Sequence, residues 1–273
     1  MLLMSICYTI RALDRYVEIK TPSMVEFLKN WYGLEPNEKG FYSIDSLQKV
    51  YRYKVTELPL PEEFKYLKNV SDISIHLDDI NNCSKGNILD LRPFPHQFNK
   101  YLAIVSLSPL KMIILGEESD LTMLVVRYNC EELDVSKCIN LKKLICNNSG
   151  LKKLNLGDNI NLEELDCSKN KLKYLDLSQN KNLKRLNCSS NLFARMDSLL
   201  LPKSIIDLNF MGNKFSSWPQ YFYVKSYPKL EILQLNRSNS LRIASLSFSA
   251  RSESILGVPR GRILLSSTPN ASA

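Results

Sequence analysis

The stretch LKKLNLGDNINLEELDCSKNKLKYLDLSQNKNLKRLNCSSNL (residues 151–192) decides how this chain folds. It is a 21-residue unit written twice, each unit dividing into halves of 11 and 10: LKKLNLGDNIN with LEELDCSKNK, then LKYLDLSQNKN with LKRLNCSSNL. Every half reads L-x-x-L-x-L/C-x-x-N. The L-x-L/C step has the period of a strand, so its two apolar side chains share one face. The leucine three positions earlier packs beneath that face. The asparagine closing each half (Asn159, Asn170, Asn180, Asn191) belongs where the chain turns, because its side-chain amide hydrogen-bonds local backbone. Stacked about 4.8 Å apart, such units predict a ladder of asparagines that satisfies buried turn amides. One unit buries too little to fold alone; the array is the fold.

Outward from this core the pattern weakens. CEELDVSKCIN and LKKLICNNSG (130–150) are the same pattern, weakened. Leu121, Leu124, Val126 and Asn129 fit the spacing, as do Leu110, Ile113 and Leu115, and more loosely Val70, Ile73, Ile75 and Asp78. Downstream, LPKSIIDLNFMGNKFSSWP (201–219) is a longer unit through Ile205, Leu208, Phe210 and Asn213, and Leu230, Leu233 and Leu235 supply a last one.

The motif L-x-x-L-x-C-x-x-N alternating with L-x-x-L-D-L-x-x-N resembles the leucine-rich repeat family, in particular the bacterial class with a nested 21-residue period, called IRREKO-type. The whole chain resembles leucine-rich proteins of enteric bacteria. The resemblance implies a β-rich repeat solenoid that binds a protein partner. The expected organisation is a small α+β capping region with irregular strands and one helix (1–100), a solenoid (101–236, regular over 130–192) and a disordered basic tail (237–273).

The cap expectation rests on SMVEFLKNWYGLEP, where Ser23 and Glu26 form a capping box, Val25, Leu28 and Tyr32 share a face, and Gly33 and Pro36 end the helix. FYSIDSLQKVYRYKV (41–55) carries a strand pattern. Solenoids need such a cover over their first coil. The tail has five arginines and no lysine, against 24 lysines and 7 arginines in residues 1–236. Two readings follow: a disordered basic tail, or sequence never selected to fold. The abrupt change in usage favours the second.

Composition bounds the function. With 44% hydrophobic and 23% charged residues the chain is of globular type. No apolar run approaches the ~18 residues of a membrane span. Met1–Ile10 lacks the basic segment and cleavage site of a signal peptide. The expected compartment is the cytoplasm by default, with secretion lacking a signal peptide left open, and Met4 and Met24 leave the start site open. Net charge is +8, summing to −1 over 1–129, +3 over 130–192 and +6 over 193–273. Of the seven cysteines (Cys7, Cys83, Cys130, Cys138, Cys146, Cys167, Cys188), none forms a C-x-x-C pair, and the odd count argues against a disulfide framework.

No catalytic, cofactor-binding or metal-binding set emerges. The two histidines, His76 and His96, stand near no acid or cysteine at a recognisable spacing, and no phosphate-binding or nucleophile-elbow motif is present. Cys146, Cys167 and Cys188, 21 apart, read as a metal or redox row or, far better, as small apolar filler. The residues placed outward by strand alternation are Glu132, Asp134, Lys153, Asn155, Tyr174 and Asp176, the expected partner contacts, with Tyr174 foremost because exposed aromatics are enriched in hot spots. The columns Glu132, Lys153, Tyr174 and Lys143, Glu164, Arg185 set opposite charges on neighbouring coils.

Three functions compete at this stage. The first is a non-catalytic protein-binding scaffold whose partner is unidentified, with no small-molecule substrate and no cofactor. The second is nucleic-acid or anionic-surface binding through the basic tail, disfavoured by the alternating charges of the repeats. The third is a truncated remnant of a larger repeat effector, because 201–219 resembles the L-P-framed repeats of secreted bacterial effectors. Some of those are ubiquitin ligases with a catalytic cysteine after the repeats; here none follows Cys188.

Overall fold

The structure, a computed structural model, describes residues 15–55, 66–67, 69–77, 87–91, 100–106, 109–115, 120–128, 130–215, 227–236 and 262–266. The chain opens with β1 (Tyr16–Glu18), α1 (Pro22–Tyr32), β2 (Phe41–Ser43) and the short α2 (Ile44–Leu47), β1 and β2 pairing antiparallel. Then follow β3 (Arg52–Val55), β4 (Asp72–Leu77), β5 (Ile88–Asp90), β6 (Tyr101–Ser106), β7 (Leu110–Ile114), β8 (Met123–Arg127), β9 (Cys130–Asp134) and β10 (Lys143–Ile145). The remainder are β11 (Glu164–Asp166), β12 (Leu175–Asp176), β13 (Arg185–Asn187), β14 (Leu199–Leu200), β15 (Asp207–Asn209), β16 (Ile232–Asn236) and β17 (Arg262–Ser266).

Ten of these strands form one parallel sheet in the order β17-β16-β15-β13-β11-β10-β8-β6-β4-β3. The intervening strands run along the opposite wall in two smaller parallel sheets, β5-β7-β9 and β12-β14. The two halves of the 21-residue unit are therefore the two walls of a β-solenoid. The 10-residue half supplies the long sheet through Leu144, Leu165 and Leu186, paired in direct register. The 11-residue half supplies the other wall.

The inward and outward assignments follow the alternation. Leu144, Cys146, Leu165, Cys167, Leu186 and Cys188 are at most 2% exposed, and Leu133, Leu154, Leu175 and Leu199 line the other wall from inside. All belong to a single core that also takes in Met24, Leu28, Tyr42 and Leu47 of the N-terminal elements.

Two features of each turn hold successive coils together. Asn170 spans a coil boundary: Nδ2 donates to the Cys146 and Cys167 carbonyls (2.8 and 3.0 Å), and Oδ1 accepts from the Ser149 and Leu151 amides (3.1 and 2.9 Å). Asn191 and Asn213 repeat this, accepting from the Leu172 and Phe193 amides and donating to Cys188 with Cys167 and Phe210 respectively. On the other wall Asn159 and Asn180 each donate to two carbonyls of the preceding coil, but their buried Oδ1 atoms have no partner among the described residues. The second feature is a left-handed residue immediately before the ladder position: Asn148, Lys169, Ser190 and Gly212, with φ of 56°, 55°, 54° and 67°. This conformation costs a non-glycine residue about 1–2 kcal/mol. It places the next side chain inside, and the amides of Asn148, Lys169 and Ser190 donate to the following coil at 2.7–2.9 Å.

Three expectations change. α1 starts two residues earlier than a Ser23 cap requires: Thr21 stands at the N-cap in extended conformation, Pro22 takes the first helical position, and Ser23 lies inside the helix, so the Ser23–Glu26 box does not form. Gly33 ends the helix in the left-handed conformation as expected (φ 61°). The parallel sheet reaches N-terminal of residue 101, because β3 and β4 already pair within it. Within the tail, where no element is expected, Arg262–Ser266 form a strand in register with β16. Asp78, Asn129, His96, Cys7, Cys83 and the rest of 237–273 lie outside the described residues.

Asn170→Ala strands two amides and two carbonyls inside the solenoid and is expected to cost ~3 kcal/mol or more. Asn180→Ala removes only donors and is expected to cost about 1–2 kcal/mol. Urea unfolding midpoints of the two variants check the order; equal losses would show that the Oδ1 contacts add nothing.

Candidate functional site

The outward face of the ten-stranded sheet is the largest continuous surface of regular backbone in the described chain. Its outward positions change character along the solenoid. Two of its columns are apolar over β6 and β8, and one of them stays so on β10: Tyr101 stands beside Met123, and Ala103, Val125 and Ile145 stand in one row. Ala103 and Val125 are 7% and 5% exposed yet lie outside the core cluster, while Tyr101, Met123 and Ile145 are half-buried. These positions alternate with the inward Leu102, Ile104, Leu124 and Val126, so strand geometry turns them to the opposite side.

From β10 onward the same columns carry charge. Lys143, Glu164, Arg185 and Asp207 stand in register on successive strands. Glu164 is held from both sides, by Lys143 Nζ at 2.8 Å and by Arg185 Nη2 at 2.8 Å. Burial opposes ionisation of Glu164, but the two cations outweigh it and hold the carboxyl below its ordinary range. Asp207 is pushed upward by burial, with Arg185 only partly offsetting it. A second ladder outside it pairs Lys184 with Glu163 at 2.8 Å. Opposite charges thus cancel along the sheet, and no continuous basic stripe forms there.

The six expected contact residues lie on the other wall, all exposed. The structure divides them into two kinds. Asp134, Asn155 and Asp176 each turn a side-chain oxygen back to accept the amide two residues on, from Ser136, Gly157 and Ser178 at 2.9–3.2 Å. These bonds hold the carboxyls of Asp134 and Asp176 below the usual carboxylate range, so the three are turn-forming groups first. Glu132 and Lys153 carry no such duty, and Tyr174, 54% exposed, donates a hydroxyl hydrogen bond to Asp176. The ion pair crossing these coils joins Glu131 to Lys152 at 3.3 Å, one position before the expected Glu132 and Lys153. The apolar block on β6 to β10 escapes a sequence reading centred on the regular repeats. Its only signal is the uncharged set Tyr101, Ala103, Met123, Val125 and Ile145.

The cysteine row is interior. Cys146, Cys167 and Cys188 are fully buried free thiols whose ionisation burial pushes far out of the ordinary range, and burial pushes Cys130 up to about 12. Such thiols pack as small apolar groups and are poor nucleophiles. His76 sits on β4 with Nε2 at 2.8 Å from Ser74 Oγ. Among the described residues no cluster of three or more histidines, cysteines or acids is placed to hold a metal ion, and no helix is long and apolar enough to cross a membrane.

Glu164→Gln is expected to lower stability by ~1 kcal/mol at pH 7, because two half-exposed pairs are weakened together. The folded carboxyl titrates below its unfolded value of about 4.3, so its contribution is full above that pH and fades as pH falls through the folded value. Wild type and variant should therefore converge in acid. A gap that persists at pH 2.5 in thermal unfolding would assign the loss to packing instead.

No protein-family model matches the chain, and no curated protein matches it. Solved structures do. A leucine-rich repeat protein of Leptospira interrogans superposes with a TM-score of 0.56 at 23% identity, over 70% of this chain and 50% of its own. InlP of Listeria monocytogenes superposes with a TM-score of 0.51 at 18% identity, over 72% of this chain and 58% of its own. The chain thus spans about half the length of the first of these and somewhat more of the second. Two walls of parallel strands, inward leucines with asparagines at the turns from Asn159 to Asn213, and these superpositions agree: the chain folds as a leucine-rich repeat solenoid, the architecture of bacterial leucine-rich repeat proteins.

Proposed function

We propose that this chain is a protein-binding scaffold that acts by recognition rather than catalysis, and that its partner contacts the outward face of the ten-stranded sheet. The observation that carries this is the apolar block of Met123, Val125 and Ile145 beside the Lys143–Glu164–Arg185 ladder. Interface centres are depleted in charge and enriched in aromatic residues, methionine and arginine, and their rims are polar. This face has that layout, with Tyr101 and Met123 toward the centre and Arg185 at the border. The partner that suits it is a protein surface with an apolar ridge flanked by alternating charge. The inert thiols and the self-neutralised acids are what a recognition surface tolerates and a catalytic centre does not.

A second reading places the contact on the opposite wall, at Glu132, Asp134, Lys153, Asn155, Tyr174 and Asp176. It is favoured by Tyr174 at 54% and the nearby Leu200 at 38% exposure. Binding to nucleic acid through the arginines of 237–273 draws no support from the mutually cancelled charges of the sheet.

Affinity capture with the full chain from bacterial and host-cell lysates tests the assignment. A stoichiometric partner is expected to be lost with Met123→Glu or Ile145→Lys and kept with Tyr174→Ala. Loss with Tyr174→Ala alone would move the site to the other wall. A partner displaced only by nucleic acid would favour the electrostatic reading.

A further inference from the structure

We infer that the chain carries a second recognition site, independent of the face above: an aromatic groove at the N-terminal end that takes a proline-rich, acidic segment of a partner protein. The groove, about 730 Å³ in volume, lies where α1 meets the free edge of β3, between that strand's outward Arg52 and Lys54 and its inward Tyr53. Its wall is a chain of rings. Phe27 contacts Trp31 (6.3 Å between centroids), Tyr32 (5.7 Å) and Tyr53 (4.8 Å), and Tyr32 meets Tyr51 edge-on at 5.9 Å. The helix places Phe27 and Trp31 one turn apart on one face, and β3 contributes Tyr53 across from them. Trp31 is 72% and Tyr51 54% exposed, the largest exposures among the aromatic residues around the groove. Isolated exposed aromatics are ordinary; two of them on a ring-lined groove are a recognition pattern.

The polar groups decide what fits. Most of those around the rings are already spent on one another. Arg52 Nε donates to Asp72 at 3.0 Å and its guanidinium lies over the Tyr51 ring at 5.6 Å. Tyr32 Oη accepts from the Arg52 amide at 2.9 Å and donates to the Arg52 carbonyl at 3.1 Å, closing the edge of β3. Ser74 Oγ is engaged with His76. A sugar, whose binding needs many free donors and acceptors, meets few here. What remains is ring surface, the Trp31 indole N–H, the Tyr51 and Tyr101 hydroxyls, and the Lys54 ammonium, which has no ion pair among the described residues.

That remainder matches a polyproline-II segment. Its prolyl rings pack on aromatic faces without hydrogen bonds, and its bare carbonyls accept from an indole N–H. The helix is preformed, so little entropy is lost on docking. With Arg52 neutralised by Asp72, Lys54 leaves the groove one positive charge, which selects a carboxylate on the segment. Trp31 and Tyr51 bind the prolines, Lys54 reads the acid, and the Arg52–Asp72 pair fixes the floor.

The test is fluorescence anisotropy of a fluorescein-labelled peptide PPPEPPPE titrated with the full chain. Saturable binding is expected, weakened about tenfold by Trp31→Ala or Tyr51→Ala. Lys54→Gln should weaken it about threefold and abolish any preference over PPPQPPPQ. Tyr174→Ala, Met123→Glu and Ile145→Lys should leave it unchanged, which separates this site from the sheet-face contact. Trp31 and Tyr51 are exposed, so their variants should keep the far-ultraviolet circular dichroism of the wild type. Any of four results would overturn the proposal: no saturable signal, equal binding by the Trp31 and Tyr51 variants, equal binding of a Gly-Ser peptide with the same acids, or full displacement by cellotetraose.

Discussion

An asparagine amide that bonds two coils at once is the constraint on which the rest of this molecule depends. Each coil ends its strand in a turn whose amides and carbonyls face inward, away from water. Left unpaired, such groups cost about as much as the turn could gain by burial. Asn170, Asn191 and Asn213 remove that cost by offering one acceptor and two donors at the correct height, and the left-handed residue before each one aims it inward. The coil spacing, the register of the long sheet and the narrow interior filled by Cys146, Cys167 and Cys188 follow from keeping those amides within reach. Cysteine suits the interior position because it is small and, when buried, uncharged.

The architecture was legible in the sequence wherever side-chain chemistry repeats. The 21-residue spacing placed Leu144, Leu165 and Leu186 in one row, and the pairs Lys143–Glu164 and Glu164–Arg185 could be read from the same columns. Less legible was what depends on backbone detail. Ser23 and Glu26 have the spacing of a capping box, but Pro22 is preorganised for the first helical position and moves the start to Thr21. Asp134, Asn155 and Asp176 were rightly placed outward, yet alternation alone does not reveal that their oxygens fold back on the Ser136, Gly157 and Ser178 amides. The cross-coil pair fell to Glu131 and Lys152 rather than to their neighbours because two charged residues stand side by side in each coil. β3 and β4 lack closing asparagines, so their membership in the sheet is carried by Tyr53, Ile73 and Ile75, of which Ile73 and Ile75 fit the repeat spacing only loosely.

Both proposed contact regions lie where the repeat is least regular. From β10 to β15 the outward columns neutralise one another, leaving little unsatisfied charge or apolar area to present. Toward the N-terminus the ladders lapse, apolar residues occupy the outward positions of β6 and β8, and aromatic residues of α1 gather over β3. A regular stack stiffens the molecule, and its irregular end supplies chemistry. The two demands compete for the same positions, because each outward residue used in a cross-coil pair is withdrawn from recognition.

Hydrogen exchange followed by NMR on the intact chain tests the central claim most directly. If the asparagine ladder ties the coils into one cooperative unit, the amides of Ser149, Leu151, Leu172 and Phe193, each bonded to an asparagine Oδ1, should exchange among the slowest, with one common opening free energy. Turn amides that exchange orders of magnitude faster than those of β10, β11 and β13 would contradict it, showing that the strands hold the solenoid and the ladder merely decorates its turns.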